Sequence, residues 1–135
     1  MQKKHRIIID TNLWISFLLT KKFAFLDKLM EKNKVRLLFS QELFDEFLEV
    51  IKRPKLQKFF SGKDVILLLE IINQYADIIE VKSKISICRD EKDNFLLALA
   101  KDGSANFLIT GDKDLLVIKR FEKTEIITIA AYKLI

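Results

Sequence analysis

Two acids of this chain stand directly beyond short apolar runs. Asp10 follows Ile7-Ile8-Ile9, and Asp112 follows Leu108-Ile109-Thr110-Gly111. A continuous apolar run, rather than an alternating one, reads as a strand covered on both faces, as in a parallel sheet. In an open parallel sheet, ligands bind beyond the carboxyl ends of the strands. A single acid there reads equally as a loop cap, which for Asp10 would be a cap of Thr11-Asn12. Two acids at the same edge shift the balance toward a shared site. A third comes from the helix expected after Ser40, which is a good N-cap with Glu42 in the first turn. At about 100° per residue, its apolar face centres between Phe47 and Ile51. Glu42, Asp45 and Glu49 then point to solvent, and Glu46 lies on the border of the face. On the wheel alone, a surface pairing of Glu46 with a nearby Lys or Arg is the stronger reading.

The fourth region is Asp90-Glu91-Lys92-Asp93-Asn94. Asp90 reads as an N-cap, with Asp93 three residues on in a capping-box-like arrangement. Asp93 sits where a helix N-terminus favours negative charge, just before the apolar Phe95-to-Ala100 segment. Packing that segment on the sheet brings Asp93 toward the strand ends.

Such acids repel one another when they meet. At about 4 Å and an effective dielectric of about 20, a pair of like charges costs about 4 kcal/mol, so protons or cations must relieve the cluster. Oxygen donors without Cys or His suit Mg²⁺ or Mn²⁺ rather than zinc. Cations so held can activate water and stabilise a leaving oxygen, which is phosphate chemistry. The chain carries 24 Lys and Arg against 19 Asp and Glu, a net charge of +5, and a basic surface favours polyanions. The sequence contains no Gly-rich phosphate loop. Ser16, Ser40, Ser104 and Thr110 lack a basic partner for nucleophilic catalysis. His5, the single histidine, reads as an exposed tail residue.

The elements that position these acids follow from pattern. Beyond the strand ending at Ile9, a helix runs through Leu13, Trp14, Phe17 and Leu18. A second amphipathic stretch carries Phe23, Leu26, Leu29 and Met30. Val35 to Phe39 reads as the next strand. The helix after Ser40 ends near Arg53, because Pro54 disfavours helical geometry before it. Another helix spans roughly Lys63 to Tyr75, and Ile78 to Val81 is a short extended piece at an edge or in a connection. Gly103 closes the helix that begins near Asp90. Asn106 to Thr110 and Glu125 to Ile129 are further strands, the last followed by a short tail. Strands alternating with helices predict a three-layer α/β/α sandwich with a mostly parallel central sheet, residues 1–135 forming one domain. Folding at this length buries roughly two-thirds of the unfolded surface.

With one cysteine, Cys88, no internal disulfide forms, which fits a reducing compartment. No apolar run nears the ~20 residues of a membrane span. The basic start, Met1 to Arg6, precedes an apolar run that Asp10 and Asn12 interrupt, unlike a secretory signal. These features predict a cytoplasmic protein.

Taken together, the motifs resemble the PIN-domain nucleases. Ile7-Ile8-Ile9-Asp10-Thr11-Asn12-Leu13-Trp14-Ile15-Ser16 is similar to their opening motif. Ser40 to Glu46, running on to Arg53-Pro54-Lys55, resembles the second acidic helix of one branch. Arg89 to Leu96 and Ala105 to Leu115 resemble the remaining two motifs. That branch is described as toxins of toxin–antitoxin pairs. The resemblance covers most of the chain in order and implies a Mg²⁺- or Mn²⁺-dependent endoribonuclease acting on RNA. It also implies a homodimer and a cognate antitoxin as partner. By motif, Asp10, Glu46, Asp93 and Asp112 are the metal-binding and catalytic acids. Asp114 is an extra ligand or a simple helix-start acid. Asn12 and Ser16 orient Asp10, Asp90 supports the helix start, and Thr110 contacts Asp112 or substrate. Many relatives carry Asn where Asp112 stands, which leaves the division of roles between Asp112 and Asp114 open.

Two other readings use the same residues. A PIN-like scaffold that binds protein or RNA without catalysis is compatible with the Lys-rich segments. A haloacid-dehalogenase-type phosphatase also has an early strand-end Asp, but needs a second Asp two positions on, where Asn12 stands.

Overall fold

The structure, a computed structural model, describes residues 5–135, with residues 23–25 described in backbone only. The basic residues Met1 to Lys4, and the Phe23 side chain expected on the second amphipathic stretch, lie outside the described residues. In chain order the elements are β1 (Arg6–Ile9), α1 (Thr11–Thr20), α2 (Phe23–Lys32), β2 (Arg36–Phe39), α3 (Gln41–Ile51), α4 (Pro54–Gln57) and α5 (Gly62–Tyr75). There follow β3 (Ala76–Ile78), α6 (Glu91–Asp102), β4 (Phe107–Ile109), α7 (Lys113–Leu116), β5 (Arg120–Phe121), β6 (Thr124–Ile127) and α8 (Ile129–Tyr132).

The strands form one sheet in the order β3-β2-β1-β4-β6-β5. Every pairing is parallel except β5 with β6. Successive residues of a strand face opposite sides of a sheet, yet Ile7, Ile8 and Ile9 are all buried, at 1%, 0% and 3% exposure. Both faces are therefore covered, as the unbroken apolar run predicts. The chain steps outward from β1 to β2 and β3, then returns to place β4 on the other side of β1. Because parallel crossovers are right-handed, that reversal puts α6 on the face opposite α1 to α5, giving the α/β/α sandwich. The crevice at such a switch point, here between β1 and β4, is where open sheets bind ligands.

Packing fixes the helices near that crevice. Trp14 of α1 lies 6.0 Å from the rings of Phe17 and Phe39 and 6.3 Å from Phe47, so one side chain joins α1, β2 and α3. Leu96 to Ala100 of α6 are all buried, which seats the helix firmly on the sheet. Among the described residues, no helix is long and apolar enough to cross a membrane.

Several expectations need correction. The third strand is Ala76–Ile78 rather than Ile78 to Val81. Arg36 of β2 draws its start inward, donating to both Asp77 carboxylate oxygens at 2.6 and 3.2 Å and to the Ala76 carbonyl at 3.2 Å. Pro54 does more than stop α3: its fixed φ suits a first helical turn, and it opens α4. The hairpin partner β5 carries no sequence signal, because its bends use Lys119 and Glu122 at φ 66° and 53° instead of glycine. Gly103 ends α6 at φ −90°, and the left-handed residue is Ser104 at φ 51°. His5 is not a free tail: its Nδ1 lies 2.9 Å from the Tyr132 hydroxyl, and its ring packs edge-on against Phe107 and Tyr132. Burial there holds its pKa below the ordinary 6.5.

Candidate metal centre

β1 and β4 are neighbours with Ile9 opposite Ile109, so the residues after them emerge side by side. The Asp10 amide continues the ladder, donating to the Ile109 carbonyl at 3.0 Å. Its carboxylate caps α1 by accepting from the Asn12 amide at 3.3 Å. The second oxygen accepts from the Thr110 hydroxyl at 2.8 Å. Thr110 is fully buried, and its hydroxyl oxygen accepts from the Asp112 amide at 3.0 Å. A hydroxyl has one proton and two lone pairs, so this arrangement fixes its direction and ties the two strand ends together. Asp112 in turn caps α7, accepting from the Asp114 amide at 2.9 Å.

Asp93 approaches from the first turn of α6 and is 5% exposed. Its pKa is pushed up to about 6, first by burial and then by the charges of Asp112, Asp90 and Asp10, with a hydrogen bond to Asp112 adding to the effect. Two carboxyl groups that close share a proton unless a cation takes its place. Asp93, Asp112 and Asp114 each offer an oxygen within 4.8 Å of the others. Asp114 is exposed and also receives Arg89 Nη2 at 3.1 and 3.3 Å. Asp90 is exposed and caps α6 through the Lys92 amide at 2.9 Å; Asp93 gives its own amide to the Asp90 carbonyl at 3.1 Å.

Glu46 of α3 faces the group from the other side of a cleft of about 540 Å³. It is half-buried at the edge of the apolar face and lies 3.1 Å from Lys92 Nζ, so the border position and the ion pair occur together. Of the residues singled out from sequence, Asp10, Asn12, Glu46, Asp90, Asp93 and Asp112 line the cleft. Thr110 supports it from below. Ser16 is exposed on α1 and not part of the lining, with its carbonyl accepting from Thr20.

Other lining residues escaped the sequence reading. Glu42 is exposed, as the wheel has it, but borders the cleft. Its place in the first turn after β2 was the available signal: height along a helix decides what reaches a sheet edge, and a wheel shows only angle. Arg53 and Lys92 also line the cleft, bringing positive charge beside the acids.

The donors fit a hard divalent cation. They are carboxylate oxygens converging from separate elements, the set that Mg²⁺ and Mn²⁺ prefer. Cys88 stands near them, but burial and then the charges of Asp93, Asp114, Asp112 and Asp90 push its thiol up. It is not among the groups whose ligand atoms converge there.

The sequence model of the PIN domain family matches residues 6–114, a span that includes every acid of the cleft. An uncharacterized protein of Methanocaldococcus jannaschii is 32% identical over 120 residues, covering 86% of this chain and 76% of that protein.

Proposed function

Because the chain belongs to the PIN-domain family, generally a metal-dependent nuclease fold, we propose that it is an endoribonuclease that hydrolyses RNA phosphodiester bonds with Mg²⁺ or Mn²⁺. The observation that carries this reading is Asp93, buried at the cleft it shares with Asp10, Asp90 and Asp112, where burial first and their charges second push its pKa up to about 6. Acids forced together in this way, in a basic chain, suit the joint recognition of a cation and a phosphate.

Asp10, Glu46, Asp93 and Asp112 would hold the metal, with Asp114 able to join them once released from Arg89. A divalent cation held by these residues would supply an activated water and shield charge on the phosphate. The Thr110 hydroxyl and Asn12 amide keep the Asp10 carboxylate in one orientation. Asp93 would hold the cation in its ionised form, the positive charge offsetting the burial and the neighbouring acids that raise its pKa. Lys92, 3.1 Å from Glu46 at the cleft, would add positive charge beside a phosphate backbone once Glu46 turned to a metal. Ser16 on α1 is the weakest of the proposed supports, being exposed. The finer placing is as the toxin of a toxin–antitoxin pair, a cytoplasmic homodimer inhibited by a cognate antitoxin. It rests on the resemblance of the motifs.

The test pairs Mn²⁺ titration by calorimetry with cleavage of a labelled RNA, with and without chelator, using Asp10→Asn as control. Metal binding and metal-dependent cleavage, with cleavage falling at least about a hundredfold in folded Asp10→Asn (the scale of losing about 2.7 kcal/mol of transition-state stabilisation), are expected. Cleavage that survives both the chelator and the substitution would refute the proposal. Folded protein that neither binds metal nor cuts RNA would favour a non-catalytic scaffold.

A further inference from the structure

Arg36, Arg89, Lys92 and Arg120 each lie within 3.1 Å of a carboxylate oxygen. A second set of cations does not. Lys52, Arg53, Lys55 and Lys58 crowd the end of α3 and the length of α4, all of them exposed. None forms an ion pair among the described residues, and the sequence holds no acid from Val50 to Lys63. Local charge of one sign, unrelieved within the fold, is suited to an external anion.

An aromatic ring stands in the same ridge. Phe59 is 57% exposed, whereas Phe60 beside it is 9% exposed and anchors the segment in the core. Among the described residues more than half of Phe59 stays open, and Lys58 places Nζ 5.6 Å from the ring centroid. The ridge is continuous with the acidic cleft, because Arg53 lines that cleft. Arg53 and Phe59 flank α4, whose four residues rise about 6 Å at about 1.5 Å per residue. That is the length of about two stacked nucleotides at about 3.4 Å each.

We propose that the ridge formed by Lys52, Arg53, Lys55, Lys58 and Phe59 binds single-stranded RNA beside the cleft. The cations would contact successive phosphates and Phe59 would stack on one unpaired base. Cations tracking a backbone, with an exposed aromatic to take a base, are the combination by which proteins hold single strands. A duplex keeps its base faces stacked internally, so Phe59 has nothing to accept from it. The inference relies on the ribonuclease reading only for the polymer being RNA.

The experiment is fluorescence anisotropy on the full chain in chelator, where cutting is prevented. It compares a labelled oligouridylate with a labelled RNA duplex over a range of salt. We expect Phe59→Ala to weaken oligouridylate binding about tenfold, to leave duplex binding unchanged, and to melt like the wild type. Phe59→Tyr should restore the affinity. Lys55→Gln combined with Lys58→Gln should lower the salt slope by about 1.4, at about 0.7 per phosphate contact. Equal single-strand binding by folded Phe59→Ala and wild type would overturn the proposal. So would an absence of RNA binding by the folded wild type, which would assign the ridge to a protein partner. If Phe59-dependent binding is found without metal-dependent cleavage, the ribonuclease reading fails and this one stands.

Discussion

Thr110 shows how one small side chain can organise a group of larger ones. Its hydroxyl donates to Asp10 and accepts from the Asp112 amide, so the two strand-end acids are oriented by a single buried oxygen. Valine has nearly the same shape but neither donor nor acceptor. Thr110→Val should therefore lower Mn²⁺ affinity about 10–100-fold, the usual effect of removing a group that orients a ligand. It should also reduce stability by about 1–3 kcal/mol, since the Asp112 amide loses its partner. Thr110→Ser should recover most of both. Calorimetric titration and denaturant melts check the two arms, and unchanged metal affinity in Thr110→Val would show that the hydroxyl matters only for folding.

At the level of elements, Gly103 tests whether close packing or backbone freedom is at stake. Its φ of −90° is open to any residue. A Cβ there would lie 2.8 Å from Leu38 Cδ1 and 3.1 Å from the Leu99 carbonyl, with Leu38 itself buried. Gly103→Ala should thus destabilise the domain by about 1–3 kcal/mol through overpacking, measured by urea melts; a stabilised variant would mean that β2 can shift aside. The same element shows what local sequence can and cannot reveal. The start of α6 at Asp90, the Ser40 cap of α3 and the runs of β1 and β4 are written in adjacent residues, so they were legible. The placing of Asp10, Asp93 and Asp112 at one cleft was legible from strand ends and a packed helix start. For Glu46 the wheel alone favoured the surface pairing that Lys92 provides, and only the motif resemblance pointed to the cleft it also lines. Gly103 was legible as a stop, but its reason lies in Leu38, far away in sequence. The start of β3 depends on Arg36 reaching across to Asp77. The turn into β5 uses Lys and Glu in left-handed geometry, which residue type does not announce. Lys92 and Arg53 join the cleft through tertiary neighbours alone.

At the scale of the molecule, the acids tie folding stability to pH and to metal. The Asp93 pKa is raised to about 6 from the ordinary 3.8, so between those pH values the folded protein holds a proton there that the unfolded chain has lost. The resulting stabilisation is fully present below pH 3.8 and disappears as pH rises through about 6. Metal-free Asp93→Asn should therefore melt higher than the wild type at pH 8, by about 3–5 °C for each kcal/mol of buried charge relieved, with the gap closing near pH 4. Mn²⁺ should raise the melting temperature of the wild type at pH 8 and not that of the variant. Scanning calorimetry with and without chelator decides, and a gap independent of pH would mean that the buried charge is relieved in some other way. The pairing of β1 with β4 has a different consequence. Asp10 and Thr110 are bonded across 100 positions of chain, and the intervening strands β2 and β3 lie on the opposite side of β1. During synthesis, everything up to the end of α6 is translated before the second half of the centre exists. Asp10, Glu46 and Asp93 are therefore made first as scattered acids, and they become one centre only when β4 slots in beside β1 and brings Thr110 and Asp112 with it.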